Sequence, residues 1–272
     1  MGAVIPLVME QVSFAYGTHA VLDGVSLQVN AGEGVALLGA NGAGKTTLTR
    51  LAMALLHPDA GRVSTVGWHT TGRGPEDLAG TVGYLFQHPE AQLFARTVHA
   101  EVAFGPERLG WSVDRIRTAV DAMLEDLGLA ALATHHPYDL PQPTRRLVAL
   151  AAALVAGPQL LILDEPTAGL DRAARARVAQ IVLARRAGGT AVLAVTHDMD
   201  FAAAALDRGV VLRANGVARD VPLPELLGHH PDFPAPPLLE LARRLGLEGV
   251  RPTAAALAPL LTSRPQTGTL EA

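Results

Sequence analysis

Two stretches of the sequence carry the residue types that phosphate chemistry needs. The first, GANGAGKTT at positions 39–47, fits the pattern G-x-x-x-x-G-K-[ST] between an apolar run and an amphipathic one. Its glycines would let backbone N–H groups surround phosphate oxygens, and the N-terminus of the following helix would add partial positive charge. Lys45 would reach the β and γ phosphates, and the Thr46 hydroxyl would hold Mg²⁺. The residues predicted to bind the nucleotide are Asn41, Gly42, Ala43, Gly44, Lys45, Thr46 and Thr47.

The second stretch, LLILDEP at positions 160–166, ends an apolar run with two carboxylates, Asp164 and Glu165. Open α/β sheets bind ligands at the carboxyl edge of their strands, where these side chains would emerge. We expect Asp164 to hold Mg²⁺, directly or through water, and Glu165 to act as general base toward the attacking water. A solvated turn would give the same two letters, and a ligand-free glycine turn is the alternative for the first stretch. The two stretches together favour the catalytic interpretation.

Hydrophobic patterning predicts the elements that would position these residues. After the glycine loop, apolar residues recur at helical spacing, namely Leu48, Leu51, Ala52, Leu55 and Leu56. Short apolar runs near 82–86, 160–164 and 190–197 suit parallel strands that are buried on both faces. Residues from about 94 to 156 are rich in helical patterns. The sequence therefore predicts an α/β core that a helical insertion interrupts.

Composition narrows the class of protein further. The 22 basic and 26 acidic residues give a net charge of −4, which lacks the basic field of a non-specific nucleic-acid binder. With no cysteine, disulfides and thiolate metal sites are excluded, and a reducing compartment is the expectation. The longest apolar run, residues 147–156, is too short to span a bilayer, which needs about 20 residues. The N-terminus lacks signal-peptide features, so other subunits would have to hold the protein at a membrane.

The domain organisation follows from where the patterns change. We predict a main domain at 1–220, with its helical subdomain at about 94–156, and a proline-rich extension at 221–250. In that extension, PPLLELARRLG predicts one short amphipathic helix. The remaining residues, 251–272, are predicted to form a mobile tail.

Several ordered motifs resemble one family. The phosphate loop, YLFQHP, LLILDEPTAGLD and VTHD follow each other as in the ATP-binding subunits of ABC transporters, over residues 8–212. The resemblance implies a P-loop ABC ATPase of the α/β class, with a RecA-like parallel-sheet core and an N-terminal antiparallel β subdomain. It also implies a helical subdomain insertion and a short helical C-terminal extension. ATP and Mg²⁺ would be the cofactors, and ATP hydrolysis would be coupled to transport.

The same resemblance assigns roles to four further residues. Tyr16 would stack on adenine, and Asp171 would communicate across a dimer of such subunits. Gln87 would sense Mg²⁺ and the γ-phosphate, and His197 would contact the γ-phosphate, so that both join Glu165 as catalytic residues. Three of them have a structural alternative: a half-buried strand aromatic for Tyr16, a solvated loop residue for Gln87 and a strand-end histidine for His197. Motif order disfavours these alternatives, except for Tyr16.

A narrower resemblance concerns the stretch from Tyr84 to Gly110, YLFQHPEAQLFARTVHAEVAFGPERLG. It is similar to the ATPases of energy-coupling-factor importers, which take up vitamins, cobalt or nickel, and in that family it lies near the surface that receives a coupling helix. The proline-rich extension resembles the same group. Integral membrane subunits would then be partners, at the cytoplasmic face of the membrane. The histidine pairs at 135–136 and 229–230 lack the spacing of a metal site.

One segment departs from the family. Where ABC ATPases read close to L-S-G-G-Q and cap the γ-phosphate on the opposite subunit, this chain has Leu140, Pro141, Gln142, Pro143 and Thr144. The prolines remove a hydroxyl and an N–H donor. Two lost phosphate hydrogen bonds of about 1.5–3 kcal/mol each would weaken the ATP-bound dimer by about 3–6 kcal/mol, or about two to four decades. Arg145 and Arg146 could supply substitute charge or form a solvated helix start.

This departure predicts an asymmetric heterodimer with a second ATPase whose signature is intact. Lys45, Glu165 and His197 would then form the one competent site, and the site capped by residues 140–144 would hydrolyse ATP slowly or not at all. Two alternatives remain: a non-catalytic nucleotide-binding regulatory partner, or a soluble ABC protein outside transport. The transported substrate is not specified by this chain, because an importer's specificity lies in its membrane component.

Overall fold

The computed structural model describes residues 4–89, 92–213, 216–229, 232–247 and 256–257. Its elements form two sheets with helices around them, the mixed architecture that the sequence predicts. Apart from residues 256–257, the tail predicted to be mobile lies outside the described residues.

A six-stranded sheet forms the centre of the molecule, in the order β10-β9-β3-β8-β7-β6. Five strands are parallel, and β10 is antiparallel to β9. Every residue of β3, β6, β7 and β8 is buried, as continuous apolar runs predict for strands covered on both faces. The strands are β3 (Gly34–Leu38), β6 (Val82–Leu85), β7 (Leu160–Asp164), β8 (Ala191–Val195), β9 (Arg208–Arg213) and β10 (Gly216–Pro222).

A second, antiparallel sheet of four strands has the order β2-β1-β4-β5. Alternating residues of β1 and β2 point their apolar side chains into the core that also contains Leu48 and Leu51. The N-terminal antiparallel subdomain is thereby confirmed. The strands are β1 (Leu7–Tyr16), β2 (His19–Val29), β4 (Ala60–Thr65) and β5 (Trp68–His69).

Helices cover the central sheet and extend from it. Three of them, α2, α3 and α4, fall within the predicted helical region and pack on one another through buried Val102, Val120 and Leu150. Thr97 and Ser112 cap the N-termini of α2 and α3 with their hydroxyls. The helices are α1 (Lys45–Ala52), α2 (Val98–Arg108), α3 (Val113–Leu127), α4 (Gln142–Leu154), α5 (Arg172–Ala187), α6 (Met199–Ala205), α7 (Leu223–Leu226) and α8 (Pro237–Arg244).

The C-terminal extension contains the predicted short helix as α8, which begins after Pro236. Its residues Leu239 and Ala242 are buried, and Phe233 ahead of it packs into the main core. The described part of the extension is therefore docked on the body of the protein. Within the described residues, we find no helix with the length and apolar character needed to cross a bilayer.

Candidate nucleotide-binding and hydrolysis site

The predicted phosphate loop joins β3 to α1 and turns at three glycines with positive φ: Gly39 at 142°, Gly42 at 80° and Gly44 at 96°. Two of them also lack room for a side chain. A Cβ on Gly39 would lie 2.3 Å from the carbonyl oxygen of Leu212, and a Cβ on Gly44 would lie 2.7 Å from Leu22. The loop conformation thus requires glycine at these positions.

Lys45 begins α1 and is only 9% exposed. Its Nζ donates hydrogen bonds to the carbonyl oxygens of Gly39 at 2.7 Å and Ala40 at 3.0 Å, which hold the ammonium against the loop. Burial lowers the pKa of Lys45, and the negative charges of Glu165 and Asp164 oppose that shift. The ammonium and both carboxylates therefore share one electrostatic environment.

The other loop residues divide by exposure. Asn41 and Gly42, at the tip of the loop, are exposed. Ala43 and Gly44, at the end of the loop, and Thr47, in the first turn of α1, are buried. Residues 39–43 of the loop line a cleft of about 600 Å³ together with His197, and buried Ala43 packs in the same core as Leu48.

Asp164, the last residue of β7, is 2% exposed, and its Oδ2 accepts a hydrogen bond from the Thr46 hydroxyl at 3.4 Å. Burial raises the pKa of Asp164, and the hydrogen bond from Thr46 and the charge of Lys45 oppose that shift. A carboxylate and a hydroxyl oxygen side by side are hard oxygen ligands of the kind that Mg²⁺ takes. These two residues fit the predicted magnesium role chemically.

Glu165 has a left-handed backbone conformation with φ of 52°, which is unusual for a residue with a side chain. Its N–H donates to the carbonyl of Val195 at 2.9 Å, and its Oε2 accepts a hydrogen bond from the backbone N–H of His197 at 3.3 Å. The Glu165 Oε1 and His197 Nε2 atoms are 3.7 Å apart. Burial raises the pKa of Glu165, and the N–H and charge of His197 oppose that shift. The structure thus brings these two predicted residues together.

His197 follows β8 with its side chain 61% exposed, and the next residue, Asp198, fixes that turn. The Asp198 carboxylate caps α6 by accepting from the Phe201 N–H at 2.9 Å, and it accepts from the Thr167 hydroxyl at 2.8 Å. The turn that carries His197 is thereby joined to the turn that follows Glu165. Asp171 caps α5, accepting from Ala174 N–H at 2.8 Å.

Gln87 and Tyr16 lie at the ends of their strands. Gln87 follows β6 and is exposed, and its backbone carbonyl accepts a hydrogen bond from Arg146 at 3.3 Å. Tyr16 ends β1 and is 46% exposed, with its ring edge-on to Phe14 at 4.9 Å between centroids. An exposed ring at a hairpin end is available to a planar ligand.

The divergent signature segment leads into α4. Pro141 occupies the N-cap position, where it offers no side-chain oxygen, and the helix begins at Gln142. Arg145 donates to the carbonyls of Leu140 at 2.8 Å and Tyr138 at 2.5 Å. One alternative expected from the sequence, a solvated helix start, is wrong for Arg146. Its side chain is 6% exposed and points into the protein, where it donates a hydrogen bond to the carbonyl of Glu165.

Sequence reasoning missed two contributors to the site. One is Arg146, whose guanidinium contacts the backbone of both Glu165 and Gln87. The other is the extension: residues 234–237 line a cleft of about 510 Å³ together with Glu165 and His197. No local pattern could have indicated either, because each contact joins segments distant in sequence.

Comparison with known proteins identifies the class. A family model described as ABC transporter matches residues 22–168, more than half of the chain. The nickel import ATP-binding protein NikO of Rhodobacter capsulatus is 40% identical over 255 residues, covering 90% of this chain and 98% of that protein. The energy-coupling factor transporter ATP-binding protein EcfA1 of Symbiobacterium thermophilum is 40% identical over 262 residues, covering 90% of each chain.

A solved structure agrees over nearly the whole chain. It is cbiO1 from Clostridium perfringens, described as part of the ABC transporter complex cbiONQ, with a TM-score of 0.75 and 27% identity. The match covers 96% of this chain and 100% of that one. The chain therefore belongs to the ABC transporter family, as an ATP-binding and ATP-hydrolysing subunit.

Proposed function

We propose that this ATPase is the motor subunit of an importer of the energy-coupling-factor type, with a transition metal ion or a vitamin as cargo. The likeness to NikO, EcfA1 and cbiO1 over most of the chain supports this subgroup. Integral membrane subunits would bind it at the cytoplasmic face of the membrane. Residues 1–220 would form the ATPase domain, and 221–250 the extension docked on it.

The observation that carries the catalytic proposal is the convergence of Lys45, Asp164, Glu165 and His197 at the carboxyl edge of the central sheet. The backbone N–H groups of the phosphate loop and Lys45 would bind the phosphates, and Tyr16 would stack on the base. Thr46 and Asp164, with Gln87, would hold Mg²⁺, which supplies charge neutralisation on the phosphates when bound.

Glu165 would take a proton from the attacking water, and His197 would contact the γ-phosphate. The Glu165 carboxylate is suited to that step because burial raises its pKa toward the working pH, which makes it a stronger base. Its left-handed backbone and the hydrogen bond from the His197 N–H fix the direction of the carboxylate.

We further propose that the working unit is an asymmetric heterodimer. Pro141 and Pro143 stand at the start of α4, where an intact signature would offer a hydroxyl and an N–H to the partner's nucleotide. The two arginines that follow donate to carbonyls of their own chain, which argues against their replacing those donors. This chain's catalytic residues would then require the partner's signature.

The test is ATP hydrolysis by the purified complex with Glu165→Gln in this subunit. We expect turnover to fall by about a hundredfold or more, as removal of a general base predicts. The matched control is the same substitution in the partner's corresponding glutamate, which should change turnover by no more than about twofold. Near-normal turnover with Glu165→Gln would support the non-catalytic regulatory alternative. A complex that purifies with ribosomes and without membrane subunits would contradict the transport assignment.

A further inference from the structure

Arg146 is a buried cation that joins three parts of the site. It lies in the first turns of α4, the helix that begins at the divergent signature. Its Nη1 donates to the carbonyl oxygen of Glu165 at 2.7 Å, and its Nη2 donates to the carbonyl oxygen of Gln87 at 3.3 Å. One guanidinium thus connects the signature helix with both segments expected to act on the γ-phosphate.

Because Arg146 is buried, its guanidinium must find hydrogen-bond acceptors within the protein. A charged side chain that is 6% exposed is costly unless its donors are satisfied, so the guanidinium favours one arrangement of the carbonyls around it. Arginine suits this task because its donors form a rigid planar fork. The position of α4 is therefore coupled to the positions of the Glu165 and Gln87 backbones.

The Glu165 backbone depends on such support. A positive φ on a residue with a side chain costs about 1 kcal/mol or more, and it persists only where surrounding contacts hold it. Here the contacts come from two different elements. The Glu165 N–H donates to Val195 of β8, and its carbonyl accepts from Arg146 of α4. Loss of the second contact would free the peptide to rotate and redirect the carboxylate.

We propose that Arg146 is a positioning residue for ATP hydrolysis, which holds the Glu165 carboxylate and the Gln87 segment in register with the signature helix. The proposal rests on the proposed function, in which Glu165 is the general base. In a dimer, the signature segment before α4 would cap the nucleotide that the partner binds. If α4 shifts on that capping, the Arg146 guanidinium would transmit the movement to the Glu165 backbone. Arg146 would act through the Glu165 and Gln87 segments, whose backbone carbonyls it binds.

The experiment compares Arg146→Met and Arg146→Lys in the assembled complex. We expect Arg146→Met to lower kcat by about tenfold to a hundredfold, the scale of a small misplacement of a catalytic group, with KM for ATP within about threefold. Arg146→Lys keeps the charge but loses the fork, so its kcat should lie between those of Arg146→Met and the unsubstituted protein.

The chain offers a matched control in Arg186. It is likewise buried, at 8% exposure, and donates to the backbone carbonyls of Gly32 and Ala205 and to Asp207, at the amino edge of the central sheet. Arg186→Met should lower the thermal midpoint of the complex and leave kcat per folded complex unchanged. A purely structural Arg146 would behave in the same way.

The outcomes separate this proposal from the function it rests on. If Glu165→Gln abolishes turnover but Arg146→Met keeps kcat, the positioning role is wrong and the proposed function stands. If Glu165→Gln keeps turnover, the proposed function itself fails. Where Arg146→Met does not fold, Arg146→Lys decides, because an unchanged kcat overturns the role and a lowered kcat at constant KM supports it. In the double variant Glu165→Gln/Arg146→Met, the added loss of kcat should be smaller than the loss that Arg146→Met causes alone, because the part that acts through the Glu165 carboxylate is already absent.

Discussion

At the residue scale, Lys45, Asp164 and Glu165 share one physical condition. Burial moves the pKa of the amine down and raises the pKa of each carboxyl, so each group is driven toward its neutral form, and their mutual attraction opposes this. A polyphosphate with its cation would restore the charge balance, because it places negative charge at the amine and positive charge at Asp164. We therefore expect a bound nucleotide with its cation to stabilise the folded protein.

Lys45→Ala should weaken ATP binding while the fold remains. Loss of a charge-assisted hydrogen bond of about 1.5–3 kcal/mol predicts a Kd for ATP that is about tenfold to a hundredfold higher. Isothermal titration calorimetry with ATP and Mg²⁺ measures this change. The control is Arg50→Ala, which removes an exposed positive charge on the same helix and should leave the Kd within about threefold. Equal losses in both variants would contradict a specific role for Lys45.

Glu33→Gln tests a charge pair outside the site. Burial raises the pKa of Glu33, but hydrogen bonds from Arg208 at 2.6 Å and the Asn30 N–H at 2.9 Å outweigh it, and the pKa ends below its ordinary value of 4.5. Because folding lowers the pKa of Glu33, the ionised carboxylate stabilises the folded protein at pH values above 4.5. This stabilisation is lost as the pH falls below 4.5 and through the pKa that Glu33 has in the folded protein.

The expected result is a difference in unfolding free energy between Glu33 and Glu33→Gln proteins of about 1 kcal/mol near neutral pH, a modest value because solvent screens a half-buried pair. The difference should shrink as urea denaturation is repeated toward about pH 4. A difference that stays constant over this range would show that the carboxylate charge does not contribute.

At the element scale, α4 shows where sequence patterns suffice and where they fail. The strand, glycine loop and helix around Lys45 could be predicted because each is a local pattern with a local cause, and the same holds for the buried strand before Asp164. The burial of Arg146 could not be predicted, since PTRRL at a helix start is typical of a solvated segment. Its partners lie 19 and 59 residues away in sequence.

Pro141→Ser should leave the stability of α4 nearly unchanged. A serine at the N-cap would accept the Thr144 N–H and stabilise the helix by about 1 kcal/mol. Loss of the proline would lower the free energy of unfolding by about 0.4–1 kcal/mol, because the unfolded chain gains conformational entropy. The two effects offset each other, so urea denaturation should give an unfolding free energy within about 1 kcal/mol of the original. A larger loss would mean that Pro141 is needed for folding.

At the scale of the whole molecule, the signature segment predicts the oligomeric state. In a homodimer of this chain, residues 140–144 would cap both nucleotides. Compared with an intact signature, each cap would contribute about 3–6 kcal/mol less hydrogen-bond free energy to dimer formation. The Glu165→Gln chain with ATP and Mg²⁺ should therefore remain monomeric in size-exclusion chromatography with light scattering. The same chain with Pro141→Ser and Pro143→Gly should show more ATP-dependent dimer. A stable dimer without those changes would contradict the asymmetric assembly.

The buried amine of Lys45 also has a practical consequence for chemical labelling. Lys45 is the only lysine in the sequence, and all the other residues counted as Lys or Arg are arginines. Apart from the amino terminus, an acylating reagent would find its target only in the phosphate loop. Burial lowers the pKa of Lys45, which raises the share of unprotonated, nucleophilic amine, and we expect acylation at this lysine where a small reagent reaches it. Mass spectrometry of the labelled chain, with and without ATP, would then test whether ATP occupies the proposed nucleotide site at Lys45.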